Sequence, residues 1–388
     1  MREKESPLGA FRVLDLTQVL SGPHCTQMLA DLGADVVKIE QPGRGDDLRN
    51  TVPYAGRAGH QDYFHASNRS KRSIALDLKD SGDRKTAQAL AGVADIVVEN
   101  FAPGTAARLA MGWDDLRALN PRLVYCSISG FGQSGPHRDR PALDPVIQAI
   151  TGVMSITGAV DGAPVQIGAP LADVIAGIYA AYAILGALHA VRNDGIGRYI
   201  DLSMQDAMLA ALGPRMGETL QTGLLPTRVA NENPLRVPAN NYATKDGREI
   251  ALICQHDRGW PPICRALGCE DLIDDARFAD MPRRVANRAA LNAIIQDIFR
   301  ARTADEWRPR LEAERVPYAM VNDYAQALDD PQVAHRGLIR DLDHPESGAI
   351  RVVGPPWTMT GPQADPTPPP LLCQHNDDVL RDWLDAPP

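Results

Sequence analysis

Short runs of β-branched and aliphatic residues recur through the first half of the chain, each followed by a stretch with helical spacing. The strand runs are RVLDL (12–16), DVVKIE (35–40), SIALDL (73–78), DIVVEN (95–100), LVYCSISG (123–130) and RYIDLS (198–203). They are nearly continuous in Val, Ile and Leu rather than alternating, which is the pattern of strands covered on both faces. Between them, GPHCTQMLADLGA sets Met28, Leu29 and Leu32 at helical spacing and stops at Gly33, and GDRKTAQALAGVA reads as a second helix. This alternation predicts an α/β fold with a mostly parallel sheet. In such sheets ligands collect beyond the carboxyl ends of the strands. The polar segments TQVLSGPH, EQPGRGDDLR, ENFAPG and SGFGQSGP all follow strand runs.

From about residue 225 the texture changes. A loop-rich stretch precedes helices expected at Trp260–Leu267, Arg284–Arg300 and Ala304–Glu314. The domains read as a large one over 1–224, a smaller one over 225–330, and a return to the large one over 331–388. That return carries a strand-like AIRVVG, a stiff PTPPPLL connector and a short closing helix with Asn376 as its cap.

Composition narrows the function classes. The 388 residues carry 44% hydrophobic and 23% charged side chains, as expected of a soluble globular chain. A net charge of −9 disfavours a nucleic-acid partner, although a small anionic ligand still fits a local basic cluster. The six cysteines show no metal or disulfide spacing, and no apolar leader precedes the first strand, so a cytoplasmic chain with reduced thiols is expected. Leu171–Val191 is long enough to tempt a membrane reading, but Asp173, His189 and its many Ala and Gly residues point instead to a closely packed buried helix.

Several motifs weaken on inspection. Gly130–Gly135 matches G-x-G-x-x-G after a strand, yet PHRDRPALD follows where a dinucleotide site needs a helix, so a glycine-built turn is expected. No P-loop and no G-x-S-x-G elbow occur. His24, His60, His65 and His137 are read as surface residues, and Asp46-Asp47 as a solvated turn rather than a metal site. Arg69, Lys71, Arg72 and Arg108 neighbour strand ends, where a phosphate could meet both cation and helix N–H groups.

Asp173 lies at the mouth of the most apolar segment. Pro170 suits the first position of a helix, which puts Asp173 in the first turn. The residues alone favour a structural role there, as an acid facing the helix dipole, over a nucleophile.

Taken in order, FRVLDLTQVLSGPHCTQMLADLGADVVKIEQPGRGDDLR, NRSKRSIALDLK, DIVVENFAPG, NPRLVYCSISGFGQSGP and the segment around Asp173 resemble the class III CoA-transferases, the CaiB/BaiF family, which includes formyl-CoA and carnitine CoA-transferases. The resemblance runs from Gly9 to QHNDDVL. It implies a Rossmann-like large domain, a smaller α+β domain and an interlocked-ring homodimer. It implies CoA and acyl-CoA as substrates, with no permanently bound cofactor and a free carboxylic acid as the second substrate. Asp173 takes the place of the nucleophile. CoA contacts fall on Gln18, Val19, Leu20, Ser21, Lys71, Arg72, Asn100, Phe101, Arg108, Leu109 and Arg140. The alternative within this fold is an α-methylacyl-CoA racemase, whose Gly-His-Asp corresponds to Ala142-Leu143-Asp144 here; Leu143 cannot move a proton. A CoA-binding protein without turnover is the third reading. Formyl-CoA transferases carry a glutamine near Leu20 and a glycine run where this chain has NENPLRVPANNY, so formyl/oxalate exchange is not expected.

Overall fold

The computed structural model describes residues 6–51 and 61–385, so His60 lies outside the described residues. The chain divides into two compact units. The first comprises 1–154, 166–225 and 332–388; the second comprises 155–165 and 226–331. The excursion of 155–165 into the second unit has no counterpart in the sequence reading, because nothing in its composition sets it apart.

The first unit is built on a six-stranded parallel sheet. In chain order its elements are β1 (Arg12–Asp15), α1 (Ser21–Asp31), β2 (Asp35–Glu40), α2 (Asp62–Asn68), β3 (Lys71–Ala75), α3 (Ser81–Gly92), β4 (Ile96–Glu99), α4 (Thr105–Arg108), α5 (Trp113–Leu119), β5 (Val124–Ser129), α6 (Asp144–Ile150), α7 (Val153–Ile156), α8 (Leu171–Asp194), β6 (Arg198–Ser203) and α9 (Met204–Thr222). The spatial order β3-β2-β1-β4-β5-β6 reverses direction between β1 and β4. That reversal is the switch point at which doubly wound sheets open a crevice.

The apolar strand runs explain the layering. β4 and β5 are buried along their whole length. One face of the sheet packs against α1, α8 and α9 through a core including Val13, Leu29, Val98, Ile128, Ala176 and Ile184. The other face packs against α3 and α5 through Leu14, Val37, Leu90, Leu116 and Tyr125. β3, expected over 73–78, forms over 71–75 at the sheet edge. The C-terminal segment covers that edge: Ser70 N–H donates to Thr367 O, His375 N–H to Ser73 O, and Ala75 N–H to Asn376 Oδ1. Asn376 therefore ties the tail to β3 instead of capping the last helix. A covered edge cannot template further strand pairing.

α8 is a single helix of 24 residues ended by Gly195 at φ 73°. By length and composition it could cross a membrane. Its Ala172, Ala176, Gly177, Ala180, Ala181 and Ile184 are buried in the core, whereas Ile178, Tyr182 and Leu185 are exposed. The expectation of a closely packed buried helix thus holds for one face only. Gly177 has a packing reason: a Cβ there would lie 2.8 Å from Ser21 O, so α8 approaches the start of α1 only through glycine. Gly186, also expected to serve close packing, faces open space.

In the second unit β7 (Ala239–Ala243), β8 (Glu249–Ile253) and β9 (Tyr318–Met320) form an antiparallel sheet in that order. It is covered by α10 (Trp260–Leu267), α11 (Met281–Ala286), α12 (Arg288–Phe299) and α13 (Ala304–Ala313). Its core of mixed aliphatic and aromatic side chains includes Phe299 packed on Tyr242 and Trp307. Returning to the first unit, β10 (Ile339–His344) and β11 (Gly348–Val353) form an antiparallel hairpin.

Candidate active site

The carboxyl ends of β1, β4 and β5 open onto a cleft of about 560 Å³ lying wholly within the first unit. Val19 and Ser21 enter it from the loop after β1, Asn100 and Phe101 from the loop after β4, Arg138 and Arg140 from the loop after β5, and Asp173 from α8. The G-x-G-x-x-G stretch forms part of the third loop as a turn, with Gly132 and Gly135 at positive φ, and no helix follows until α6.

Carboxylates hold these loops by their backbone N–H groups, three of them buried (Asp15, Asp46 and Glu99) and one, Asp201, exposed. Asp15 accepts from Thr17 N–H, Asp46 from Val19 N–H, Glu99 from Phe101 N–H, and Asp201 from Gln133 N–H. Asn100 clasps Gln18 by both its N–H and its carbonyl, each at 2.8 Å. Asp46 is thus no solvated turn residue: it is 1% exposed and paired with Lys38 at 2.9 Å, because the loop folds over the end of β2. His65 is likewise buried, against His344, and His24 is largely covered beside α8. His137 is exposed as expected, packed edge-on to Phe131.

Asp173 occupies the third position of α8, since Pro170 is the N-cap rather than the first helical residue. Pro170 offers no side-chain acceptor, and Asp144 at the start of α6 fills that role. Its Oδ2 accepts from Ala172 N–H at 2.7 Å and Asp173 N–H at 3.3 Å, while Gln148 Nε2 donates to its Oδ1 at 2.6 Å. The consequence for Asp173 is electrostatic. Burial and, after it, the negative charge of Asp144 raise its pKa to about 7, against the Ser21 hydroxyl, which acts to lower it. With the helix-start N–H groups taken by Asp144, Asp173 is deprived of their stabilisation and becomes unusually basic for a carboxylate.

The sequence-derived site residues divide into two groups. Val19, Ser21, Asn100, Phe101, Arg140 and Asp173 line one cleft, and Gln18 and Leu20 belong to the same β1 loop. Arg108 stands beside it: Arg108 Nη1 and Arg138 Nη2 lie 3.3 and 3.4 Å from where a Cβ on Gly104 would sit, so their guanidiniums converge on one spot. Leu109 packs against the core below. Lys71 and Arg72 are not brought to the cleft. Lys71 is fully buried, bonded to Asp15, Pro23 O and Asn68, and Arg72 is paired with Asp35 and Asp382. They begin β3, in register with Val36 and Val37, whereas the cleft opens at the strand ends.

Sequence reasoning missed Arg138, Asp144, Gln148 and the loop-holding carboxylates. The only available signals were the first arginine in RDR and the four-residue spacing of Asp144 and Gln148.

The partly buried carboxylate of Asp173 and the arginines Arg138 and Arg140 thus share one cleft at the switch point of the sheet. The profile of CoA-transferase family III matches residues 8–376, and the chain belongs to that family. It is 35% identical to human succinyl-CoA:glutarate CoA-transferase, over 97% of this chain and 86% of that one. It is 38% identical to the succinyl-CoA:mesaconate CoA-transferase of Haloarcula hispanica, over 96% and 95% of the two chains. A CaiB/BaiF family protein from Brucella suis has the same fold, with a TM-score of 0.87 and 33% identity over 98% of this chain and all of that one.

Proposed function

We propose that the chain transfers CoA from an acyl-CoA thioester to a free carboxylic acid, with Asp173 as the covalent nucleophile. The observation that carries this is the placement of a basic, partly buried carboxylate in a cleft whose rim holds Arg138 and Arg140.

The steps balance without water or an oxidant. The Asp173 carboxylate attacks the thioester carbonyl carbon, the C–S bond breaks, and a mixed anhydride and CoA thiolate result. The thiolate adds to the aspartyl carbonyl, the donor acid leaves as carboxylate, and an aspartyl–CoA thioester remains. The acceptor carboxylate attacks that thioester, giving a second mixed anhydride and free thiolate. The thiolate then takes the acceptor acyl group, and Asp173 returns as carboxylate. Dividing the exchange this way gives each weak nucleophile an activated partner. The arginines at Arg108, Arg138 and Arg140 hold the CoA phosphates, as charge-assisted donors do best. α-Proton transfer fits poorly, since Leu143 at the cleft has no group that can donate or accept a proton.

The names of the relatives support short dicarboxylic acids as donor and acceptor. CoA enters and leaves as substrate. The exposed apolar face of α8 supports a homodimer, and six unpaired thiols support a cytoplasmic location. The decisive experiment supplies succinyl-CoA with a panel of dicarboxylates and follows protein mass. A CoA-sized adduct that disappears in Asp173→Ala, together with turnover, is expected. Transfer by Asp173→Ala at the parental rate would sink the proposal.

A further inference from the structure

The loop after β1 is held in an unusual way. Each backbone polar group for which a bond is seen from Thr17 N–H to Val19 N–H meets a side chain. Thr17 N–H goes to Asp15 Oδ1 at 2.9 Å, Thr17 O receives Lys38 Nζ at 2.6 Å, and Gln18 is clasped by Asn100. Val19 N–H goes to Asp46 Oδ1 at 3.2 Å. Asp46 Oδ2 is paired with the same Lys38, both side chains being 0% exposed, and Asp46 N–H is in turn bonded to Glu40. Over this buried pair Val19 adopts φ 66°. That left-handed region is uncommon for any residue other than glycine and an outlier for a β-branched one. Such conformations persist only where the surroundings over-determine them, and they gather at functional sites. Immediately beyond it, Ser21 meets Asp173, and Val19 itself lines the cleft.

We propose that the buried Lys38–Asp46 pair is a positioning device for the reaction: it locks Val19 in the left-handed conformation and thereby fixes the 18–21 loop against the bound acyl-CoA and Asp173. Lys38 and Asp46 touch no substrate and act through the loop. The inference rests on the assignment of the cleft as the acyl-CoA site. Burial works against the Lys38 charge, but Asp46, Asp15 and Glu40 together outweigh it and hold the ammonium protonated.

Exchanging the pair for Lys38→Met with Asp46→Leu keeps the space filled and removes both charges, an exchange that buried pairs often tolerate. The full-length variant is expected to melt cooperatively, with its Kd for free CoA raised about tenfold, because Thr17 O and Val19 N–H both lose their side-chain partners. Adding Val19→Gly to it should then tighten CoA by about threefold, because glycine reaches the left-handed region without a steric penalty. In the parent, Val19→Gly should weaken CoA by about threefold, because it loosens a loop already fixed. This reversal of sign is a readout that a purely stabilising ion pair does not produce.

A folded Lys38→Met/Asp46→Leu chain with parental CoA affinity overturns the proposal, as does Val19→Gly acting with the same sign in both backgrounds. If the apolar pair yields no folded protein, Asp46→Asn and Asp46→Ala replace it. Asparagine keeps an oxygen for the Val19 N–H and should weaken CoA less than alanine; equal weakening overturns the role. A parent chain that binds no CoA overturns the site assignment as well. CoA binding lost in Arg138→Ala but untouched by every loop variant overturns the loop role alone.

Discussion

Asp173 shows how a neighbour without substrate contact sets the chemistry of a side chain. Burial and the Asp144 charge bring its pKa to about 7, so its ionised form, the nucleophile of the proposed reaction, grows in as pH rises from 6 to 8. The acid limb of kcat/KM is therefore expected near pH 7, measurable with succinyl-CoA as donor. Stability carries the opposite dependence. The native carboxyl holds its proton to about pH 7, above the ordinary value of 3.8, so this group's stabilising contribution is full below 3.8 and falls as pH rises to 7. Asp173→Asn is thus expected to melt above the parent at pH 8, with the advantage shrinking toward pH 4. At the rim, Arg138→Ala should raise KM for the CoA ester about tenfold while leaving kcat within about threefold, the pattern of lost ground-state binding. A fall confined to kcat would remove Arg138 from phosphate binding.

At the scale of elements, the placing of the proposed nucleophile depends on two helix starts meeting. α8 carries Asp173 in its first turn, and α1 brings Ser21 to it because Gly177 leaves room for the Ser21 carbonyl. Gly177→Val puts carbons where that carbonyl sits, an overpacking that typically costs about 1–3 kcal/mol. The variant is expected to unfold at correspondingly lower denaturant and to lose most of its turnover even where it is fully folded, since Ser21 and Asp173 are pushed apart. Urea melts alongside single-turnover rates would separate the two effects. Asp144 plays the complementary part by supplying the acceptor that Pro170 lacks at the start of α8.

For the whole molecule, α8 presents two faces of different use. One is buried against the sheet, and the other exposes Ile178, Tyr179, Tyr182 and Leu185 in a stripe at helical spacing. Tyr182 is 75% exposed, an uncommon setting for a large aromatic on a helix this apolar. A second copy of the chain is the occupant proposed for this face. Sedimentation should give a dimer for the parent and a lighter species for Tyr182→Asp with Leu185→Asp; an unchanged dimer would move the interface elsewhere.

Much of this organisation was legible in the residues. Continuous Val, Ile and Leu runs separated by helical spacing determine a covered parallel sheet, since only strands buried on both faces can be apolar throughout, and the motif order carried the family and Asp173 with it. The residues could not tell which cations lie at the cleft. Lys71, Arg72 and Arg108 look alike in sequence, but strand register sends the first two into internal ion pairs and leaves Arg108 beside Arg138 at the cleft. Nor could they reveal that Asp46 is buried or that Asp144 caps a helix starting 27 residues further on. The reason is physical: the pattern of apolar residues is a local property that selects elements, whereas burial of a charge and the choice of its partner arise only when distant elements close around it.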